Sequence, residues 1–415
     1  VVTVPVLLKG GVVVSGRGDT VIENGFVEIV DGKIGAVGSV SDLPSAFDGE
    51  VIDVTGKTVV AGIIDTHMHV FHEPQMLRLS EGAAAIWGAN YAQSALRAGV
   101  TTMRDLGAQS GAVFGLKKAL NEGYVVGPRY LVSGRAICMT GGHGWANLSA
   151  EADGEDGVRL LARQQIKLGA DVIKVMASGG AGTPGELPTQ AQFSMQEIRA
   201  AVEVAHDSGK PVAAHALATE GIIRAVEAGV DTIEHGVFLD DRATELMLKK
   251  NVALCPTISV YPRIINRGPA GGEAAFVMEK SVPLLAPHFK SLRKAVAAGV
   301  RIVFGTDATT LYNPVGDFSE EMELMVKAGM TPLEVIRSAT STASEVCGVS
   351  NLVGTLETGK LADVVVVEGD ATQNIAALTA TSMVFKDGAL VYRNGEGYRN
   401  AMLTAKPILK ADHSL

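Results

Sequence analysis

The sequence predicts an α/β protein: a (β/α)8 barrel of the TIM type, joined to a small β-sandwich domain built from the two ends of the chain. Two observations predict the barrel. From Val59 onward, eight short apolar runs alternate with amphipathic stretches. Many of those stretches end on a glycine that leads into the next run, as in Ala98-Gly99-Val100, Leu168-Gly169-Ala170, Ala228-Gly229-Val230 and Ala298-Gly299-Val300. Glycine suits the position after a helix because it takes the left-handed conformation without a Cβ clash. A third observation predicts the smaller domain: β-branched segments with tight turns occupy both ends of the chain.

In chain order, the runs Val6–Val14, Gly25–Val30, Lys33–Val37 and Val51–Val54 read as strands, and Asp31-Gly32 as a type I′ hairpin turn. The barrel strands are expected at Val59–Thr66, Thr101–Asp105, Arg129–Ser133, Asp171–Ala177, Val212–His215, Thr232–His235, Ala253–Thr257 and Arg301–Asp307. Helices are expected at Gly82–Ala98, Gly157–Leu168, Ser194–Asp207, Thr219–Ala228, Asp241–Lys249 and Met278–Ala298, then at Phe318–Ala328 and Pro332–Cys347. The run Ser259–Gly272, with two prolines and three glycines, reads as a long loop of lid type. Strand character returns at Asp363–Glu368 and Ser382–Val391, with Asp387-Gly388 as a second hairpin turn. The expected division is therefore 1–58 with 351–395 as the β domain, 59–350 as the barrel and 396–415 as a peripheral tail.

The 415 residues suffice for a barrel of roughly 200–250 residues and a second domain. With Lys+Arg at 36 and Asp+Glu at 45, the net charge of −9 argues against a nucleic-acid footprint, which needs a basic face. Cys138, Cys255 and Cys347 are too scattered for a disulfide framework or a thiolate zinc site and point to a reducing compartment. No run is long enough for a membrane helix. The expectation is a cytoplasmic homo-oligomer acting on a small molecule, with export left open by a chain that begins at Val1 rather than Met.

The chemistry is sought at the strand ends. In a strand, residues two apart share a face, so His67 and His69 point the same way as the apolar run stops. Lys174 interrupts Val172-Ile173-Lys174-Val175-Met176, where an unpaired ammonium is costly to bury. It is either a paired structural charge or part of a site. His215, His235 and Asp307 close the fifth, sixth and eighth runs. Five strands each delivering a nitrogen or oxygen donor to one rim point to a metal centre. The third strand leads to Thr140-Gly141-Gly142-His143-Gly144, which places a further histidine on the rim.

This composite of His67-x-His69, Lys174, His215, His235 and Asp307, with flanking β segments, resembles the amidohydrolase superfamily over nearly the whole chain. The resemblance implies a binuclear centre: one metal on His67, His69 and Asp307, the other on His215 and His235, and a carboxylated Lys174 bridging them. Zinc is the default ion, and manganese, iron or cobalt suits the same donors. The implied reaction uses a metal-bridging hydroxide, with Asp307 as proton shuttle and His143 as the group that polarises the carbonyl or holds the substrate.

The His143 loop and Lys174-Val175-Met176-Ala177-Ser178-Gly179-Gly180 are similar to the Xaa-Pro and Xaa-Arg/Lys dipeptidase branch and its imidazolonepropionase-like neighbours. Hydrolases of phenylureas, thiocarbamates and ochratoxin-type aryl amides belong to the same branch. In the dipeptidases a tyrosine follows the His-Ala of the fifth strand, and here that position is Leu217. Tyr261, Arg263 and Arg267 are the candidate replacements, and Trp145 and Tyr312 are candidates for stacking on an apolar substrate. His72 reads as a supporting residue, and His206, His288 and His413 as non-catalytic. The sequence thus points to hydrolysis of an amide C–N bond in a dipeptide or an N-acyl or aryl amide. The alternatives are a carbamate, urea or lactam hydrolase, then a deaminase or a non-catalytic scaffold.

Overall fold

The apolar run from Val59 to Thr66 is two strands rather than one, and the break between them at Gly62 is where the chain passes from one sheet to another. This is seen in a computed structural model that describes residues 4–72, 76–310, 312–394 and 397–398. The tail from residue 399, including His413, lies outside the described residues. The chain opens with β1 (Val6–Val14), β2 (Val21–Val30), β3 (Lys33–Ser39), β4 (Glu50–Asp53) and β5 (Lys57–Ala61), followed by β6 (Ile63–Met68). Then come α1 (Glu81–Arg97), β7 (Val100–Asp105), α2 (Ala112–Asn121), β8 (Arg129–Val132), β9 (Ala136–Cys138), β10 (Ser149–Glu151), α3 (Gly154–Leu168) and β11 (Ile173–Met176). The alternation continues through α4 (Met195–Asp207), β12 (Val212–Ala216), α5 (Thr219–Ala228), β13 (Thr232–His235), α6 (Asp241–Lys250) and β14 (Ala253–Cys255). Helices α7 (Val260–Gly271), α8 (Ala275–Ser281), α9 (Leu285–Ala298), α10 (Ser319–Lys327), α11 (Pro332–Ser338) and α12 (Ser341–Val346) precede β15 (Val364–Glu368), β16 (Thr381–Lys386), β17 (Ala389–Arg393) and β18 (Gly397–Tyr398).

Both ends of the chain meet in one sheet of order β18-β17-β16-β15-β5-β1-β2-β3, with β4 beside β1. Strand β1 changes partner midway. Val6–Lys9 run parallel to β4 and Val12–Val14 run parallel to β5. The switch falls at Gly10 and Gly11, where Gly10 takes φ 96°, a conformation that glycine reaches without a Cβ clash. Leu8, Val27, Val59, Val366 and Phe385 form a buried cluster on this sheet.

Parallel pairing governs the rest. Strands β6, β7 and β8 make one sheet, and β10, β9, β11, β12, β13 and β14 another. Residues 301–308 lie between β14 and β6 without forming a continuous strand. Val303 N–H donates to Leu254 O at 2.9 Å, Thr66 N–H to Phe304 O at 3.2 Å, and Asp307 N–H to His67 O at 2.7 Å. On the other side Asp171 N–H donates to Val132 O at 2.8 Å. The helices pack outside these strands, with Ile198, Val202, Ile222 and Val226 against Ile173, Val212 and Ile233. Buried on one face, they supply most of their stability through that apolar contact. Glycines follow α1, α3, α5 and α9 at φ 94°, 104°, 103° and 81°. No helix among the described residues is long and apolar enough to cross a membrane.

Further expectations change, and the helix expected over Pro332–Cys347 divides into α11 and α12. The run after β14, read as a loop, is the helix α7. Pro262 falls in its first turn, where the missing N–H has no partner to lose, while Val260, Tyr261, Ile264 and Gly268 recur on its buried side. The single helix expected over Met278–Ala298 is divided by a 3-10 turn at Val282–Leu284, centred on Pro283. Helix α2 was not anticipated; its buried face is short, carried by Ala112, Val113 and Leu116.

Gly62 donates its N–H to Asp363 O at 2.8 Å, and a Cβ there would lie 2.0 Å from Thr101 Oγ1. Gly62→Ala is therefore expected to lower stability by about 1–3 kcal/mol through overpacking. Urea denaturation measures this, and an unchanged midpoint would show that the crossing is not tightly packed.

Candidate metal centre and active site

Parallel strands present their side chains at a common end, and here that end opens on a cavity of about 710 Å³. His67 reaches it from β6 and His69 from the position just past that strand, Lys174 from β11, His215 from β12, His235 from the last position of β13, and Asp307 from the segment after Phe304. Backbone conformation is unusual at this rim. His235, Thr257, Asp307 and Thr309 all have positive φ, between 47° and 72°. Each such non-glycine residue costs on the order of 1–3 kcal/mol, and strain of this kind gathers where side chains must be aimed.

Three of these residues meet closely. His67 Nε2 lies 3.3 Å from His69 Nε2, and Asp307 Oδ1 lies 3.5 Å from the first and 3.2 Å from the second. The far side of each ring fixes its tautomer. His67 Nδ1 faces Glu234 Oε2 at 2.7 Å and His69 Nδ1 faces the Gly107 carbonyl at 3.1 Å. Both partners only accept, so each Nδ1 carries a proton and each Nε2 is the nitrogen turned toward Asp307. Burial, then the Lys174 ammonium, pushes His67 down to about 4, so it is neutral at pH 7. Asp307 Oδ1 is buried without a hydrogen-bond partner despite its closeness to His69. Two imidazole nitrogens and a carboxylate oxygen thus crowd one small buried space. Such a set is unfavourable alone and suits a cation, and these three residues are a group that could hold a metal ion.

The remaining donors line up beside them. Lys174 Nζ is 3.5 Å from His67 Nε2. Burial pushes its ammonium down to about 8, against the pull of Glu234 and Asp307. The ring of His235 lies 5.1 Å from that of His67 and 4.6 Å from that of His215. Burial holds both His215 and His235 well below the ordinary histidine range. His235 Nδ1 is anchored 2.7 Å from Thr257 Oγ1. Burial alone would raise Asp307, but His67 and His69 outweigh it and hold the carboxyl well below its usual range.

Beneath His67 lies a charge network that sequence reasoning missed. Arg104 donates from Nη2 to Glu234 Oε1 at 3.2 Å and from Nε to Thr66 O at 2.6 Å, and Thr232 donates to the same Glu234 oxygen at 2.5 Å. All are buried. Against the cost of burial, Arg104 and His67 keep Glu234 ionised, so it is a permanent acceptor for His67 Nδ1–H. The available signal was the one used for Lys174: a charge inside an apolar strand. Asp65 is a second missed support. It accepts from His67 N at 3.2 Å, Thr306 N at 3.0 Å and Thr306 Oγ1 at 2.6 Å, tying β6 to the Asp307 segment.

The residues expected to meet substrate separate. His143 lines the cavity, its ring stacked on His215 at 4.1 Å between centroids. Tyr261, Arg267 and Tyr312 also line it. Arg263 does not. Its guanidinium is buried and bonded to Asn313, the Asp317 carbonyl and carboxylate, and Glu320, so it fastens α7 to the start of α10. Trp145 is 46% exposed and lies outside the cavity lining. His72 lines the cavity between Thr309 O and Asn147 Nδ2. His206 pairs with Asp231 on the surface of α4, and His288 is buried against the His235 and Pro256 carbonyls. Leu217 is fully buried with Tyr261 and Ile264.

The chain resembles known proteins over most of its length. The amidohydrolase family pattern matches residues 58–391. The chain is 32% identical to ochratoxinase of Aspergillus niger, over 94% of this chain and 87% of that protein. It is 25% identical to imidazolonepropionase of Fusobacterium nucleatum, over 90% and 93% of the two chains. A crystal structure of a Xaa-Pro dipeptidase with methionine bound in its active site superposes with a TM-score of 0.85, at 30% identity, over 94% of this chain and 100% of that one. With a family match spanning most of its length, this chain belongs to the amidohydrolase family and is a hydrolase.

Proposed function

We propose that the protein is a metal-dependent hydrolase that cleaves the C–N bond of a dipeptide or of an N-acyl or aryl amide. The observation that carries the proposal is the meeting of His67 Nε2, His69 Nε2 and Asp307 Oδ1 within 3.5 Å of one another in a buried space. In this reading His67, His69 and Asp307 would hold one divalent ion, zinc by default, and His215 and His235 a second. Lys174, carboxylated on Nζ, would bridge the two. A carbamate is an anionic oxygen donor where an ammonium is none, and Lys174, with its ammonium lowered to about 8, is open to reaction with carbon dioxide. When bound, the pair of ions supplies Lewis-acid polarisation of the amide carbonyl and acidifies a water.

The chain's own residues do the rest. Asp307 stays ionised near neutral pH, so it can take a proton from the attacking water. The carboxyl so formed would then pass that proton to the more basic leaving nitrogen. His143 would contact the substrate carbonyl or carboxylate, and Tyr261 and Arg267 would orient the remainder of the substrate. The apolar part of the lining, which includes Val260, Ile264, Phe276 and Val277, suits an apolar side chain or aryl ring. Arg263 and Trp145 are not part of this reading because neither reaches the cavity.

The proposal extends to architecture. The parallel strands close into an eight-stranded barrel over residues 59–350, supported by the hydrogen bonds of residues 301–308 to both β14 and β6. Residues 1–58 and 351–395 make the small β domain. Its sandwich character is supported by the partner switch of β1 at Gly10–Gly11.

The direct test is a panel of dipeptides, N-aroyl amino acids, carbamates, phenylureas and lactams offered to zinc-loaded protein. Hydrolysis of dipeptides or aryl amides, abolished by chelator and restored by zinc, is expected. Turnover confined to carbamates, ureas or lactams would replace the substrate class, and full activity in metal-free protein would remove the metal from the account. Carboxylation has its own signature. Only the neutral amine reacts, so the neutral fraction of Lys174 rises as pH passes upward through about 8. Incubation with 13C-bicarbonate and zinc should give a carbamate resonance that grows from pH 7 to 9 and is missing in Lys174→Ala. A signal that survives that substitution would place the label elsewhere.

A further inference from the structure

His143 belongs to a glycine-rich loop between β9 and β10, yet its ring is held from several sides. His215 stacks on it with 17° between the planes. Gly180 leaves it room: a Cβ there would lie 2.4 Å from His143 Cε1. Nδ1 lies 2.5 Å from Glu186 Oε1. Glu186, only 4% exposed, comes from the loop between β11 and α4, 43 residues away in sequence. Its other contacts fix it in turn. Oε1 also accepts from Gly180 N at 2.8 Å, and Oε2 accepts from Gln192 Nε2 at 2.7 Å. Gln192 closes the circuit by accepting from His143 N at 2.9 Å. Thr183 Oγ1 lies 3.3 Å from the same Nδ1.

With Gly180 N–H and Gln192 Nε2 donating to it, this carboxyl serves as the acceptor in the network, so the Nδ1 of His143 is the donor that faces it. The ring nitrogen left for the cavity is Nε2. We infer that Glu186 is a positioning residue of the reaction: through Nδ1 it sets the rotation and tautomer of His143 so that Nε2 meets the substrate. The inference rests on the reading of His143 as a substrate contact. A network of this kind commits two loops to one arrangement, and misplacement of a reacting group by about 1 Å can cost on the order of a hundredfold in rate.

A double-mutant cycle on the zinc-loaded enzyme tests it, using the dipeptide or N-aroyl amino acid turned over best, beside 15N-histidine NMR of the same variants. Glu186→Ala is expected to lower kcat/KM by roughly tenfold to a hundredfold. Glu186→Gln, which keeps an oxygen acceptor, should lose less. Glu186→Ala combined with His143→Asn should be no worse than His143→Asn alone. In the spectra, the His143 signal, assigned by its loss in His143→Asn, should show the Nδ1–H tautomer in the parent protein and depart from it in Glu186→Ala. If Glu186→Ala does not fold, Glu186→Gln carries both readouts. Losses that multiply in the double variant, or an unchanged tautomer, overturn the inference. Full activity in His143→Asn would bring down the site reading itself, whereas full activity only in the Glu186 variants would bring down this inference alone.

Discussion

A small buried volume bounded by two imidazole nitrogens and a carboxylate oxygen is the constraint that the rest of the site answers to. His67 Nε2, His69 Nε2 and Asp307 Oδ1 lie within 3.5 Å of one another. Such an arrangement is unfavourable in a low-dielectric interior unless positive charge sits among the three atoms. The protein builds it by placing acceptors behind the rings: the Gly107 carbonyl behind His69 and the Glu234 carboxylate behind His67. Glu234 in turn is kept ionised by Arg104. The buried Arg104–Glu234 pair is therefore better understood as the support of one histidine tautomer than as a stabilising salt bridge, since such pairs often fail to repay their desolvation.

The same constraint explains the backbone. His235 and Asp307 must turn their side chains inward just where their runs end, and both adopt positive φ to do so, as do Thr257 and Thr309 beside them. The strain is borne by hydrogen bonds from neighbouring segments, above all those to Asp65, which link β6 to residue 306. Sheet pairing, tautomer control and local strain are in this sense one design, aimed at a rim where four strand ends and the Asp307 segment converge.

Much of this was legible in the sequence because it follows from period and cost. Alternation alone puts His67 and His69 on one face, and the price of burying an ammonium singles out Lys174. Glycine after helices marked the βα rhythm. Other features were hidden for physical reasons. The break at Gly62 leaves no mark on hydropathy because β5 and β6 are both buried. Helix α7 was masked by Pro262 and Pro269, which read as loop residues although a first-turn proline is harmless to a helix. Arg263 looked available to a substrate, but its charge is consumed by Asp317 and Glu320. Glu186 lies in a loop with no periodicity, and only the folded chain brings it to His143.

The proposal that the convergent rim holds two metal ions is tested most directly by anomalous diffraction from zinc-loaded crystals at the zinc absorption edge. The account predicts two peaks, one among His67, His69 and Asp307 and one beside His215 and His235, with density joining Lys174 Nζ to both. A rim without anomalous signal, or peaks at other side chains, would contradict it.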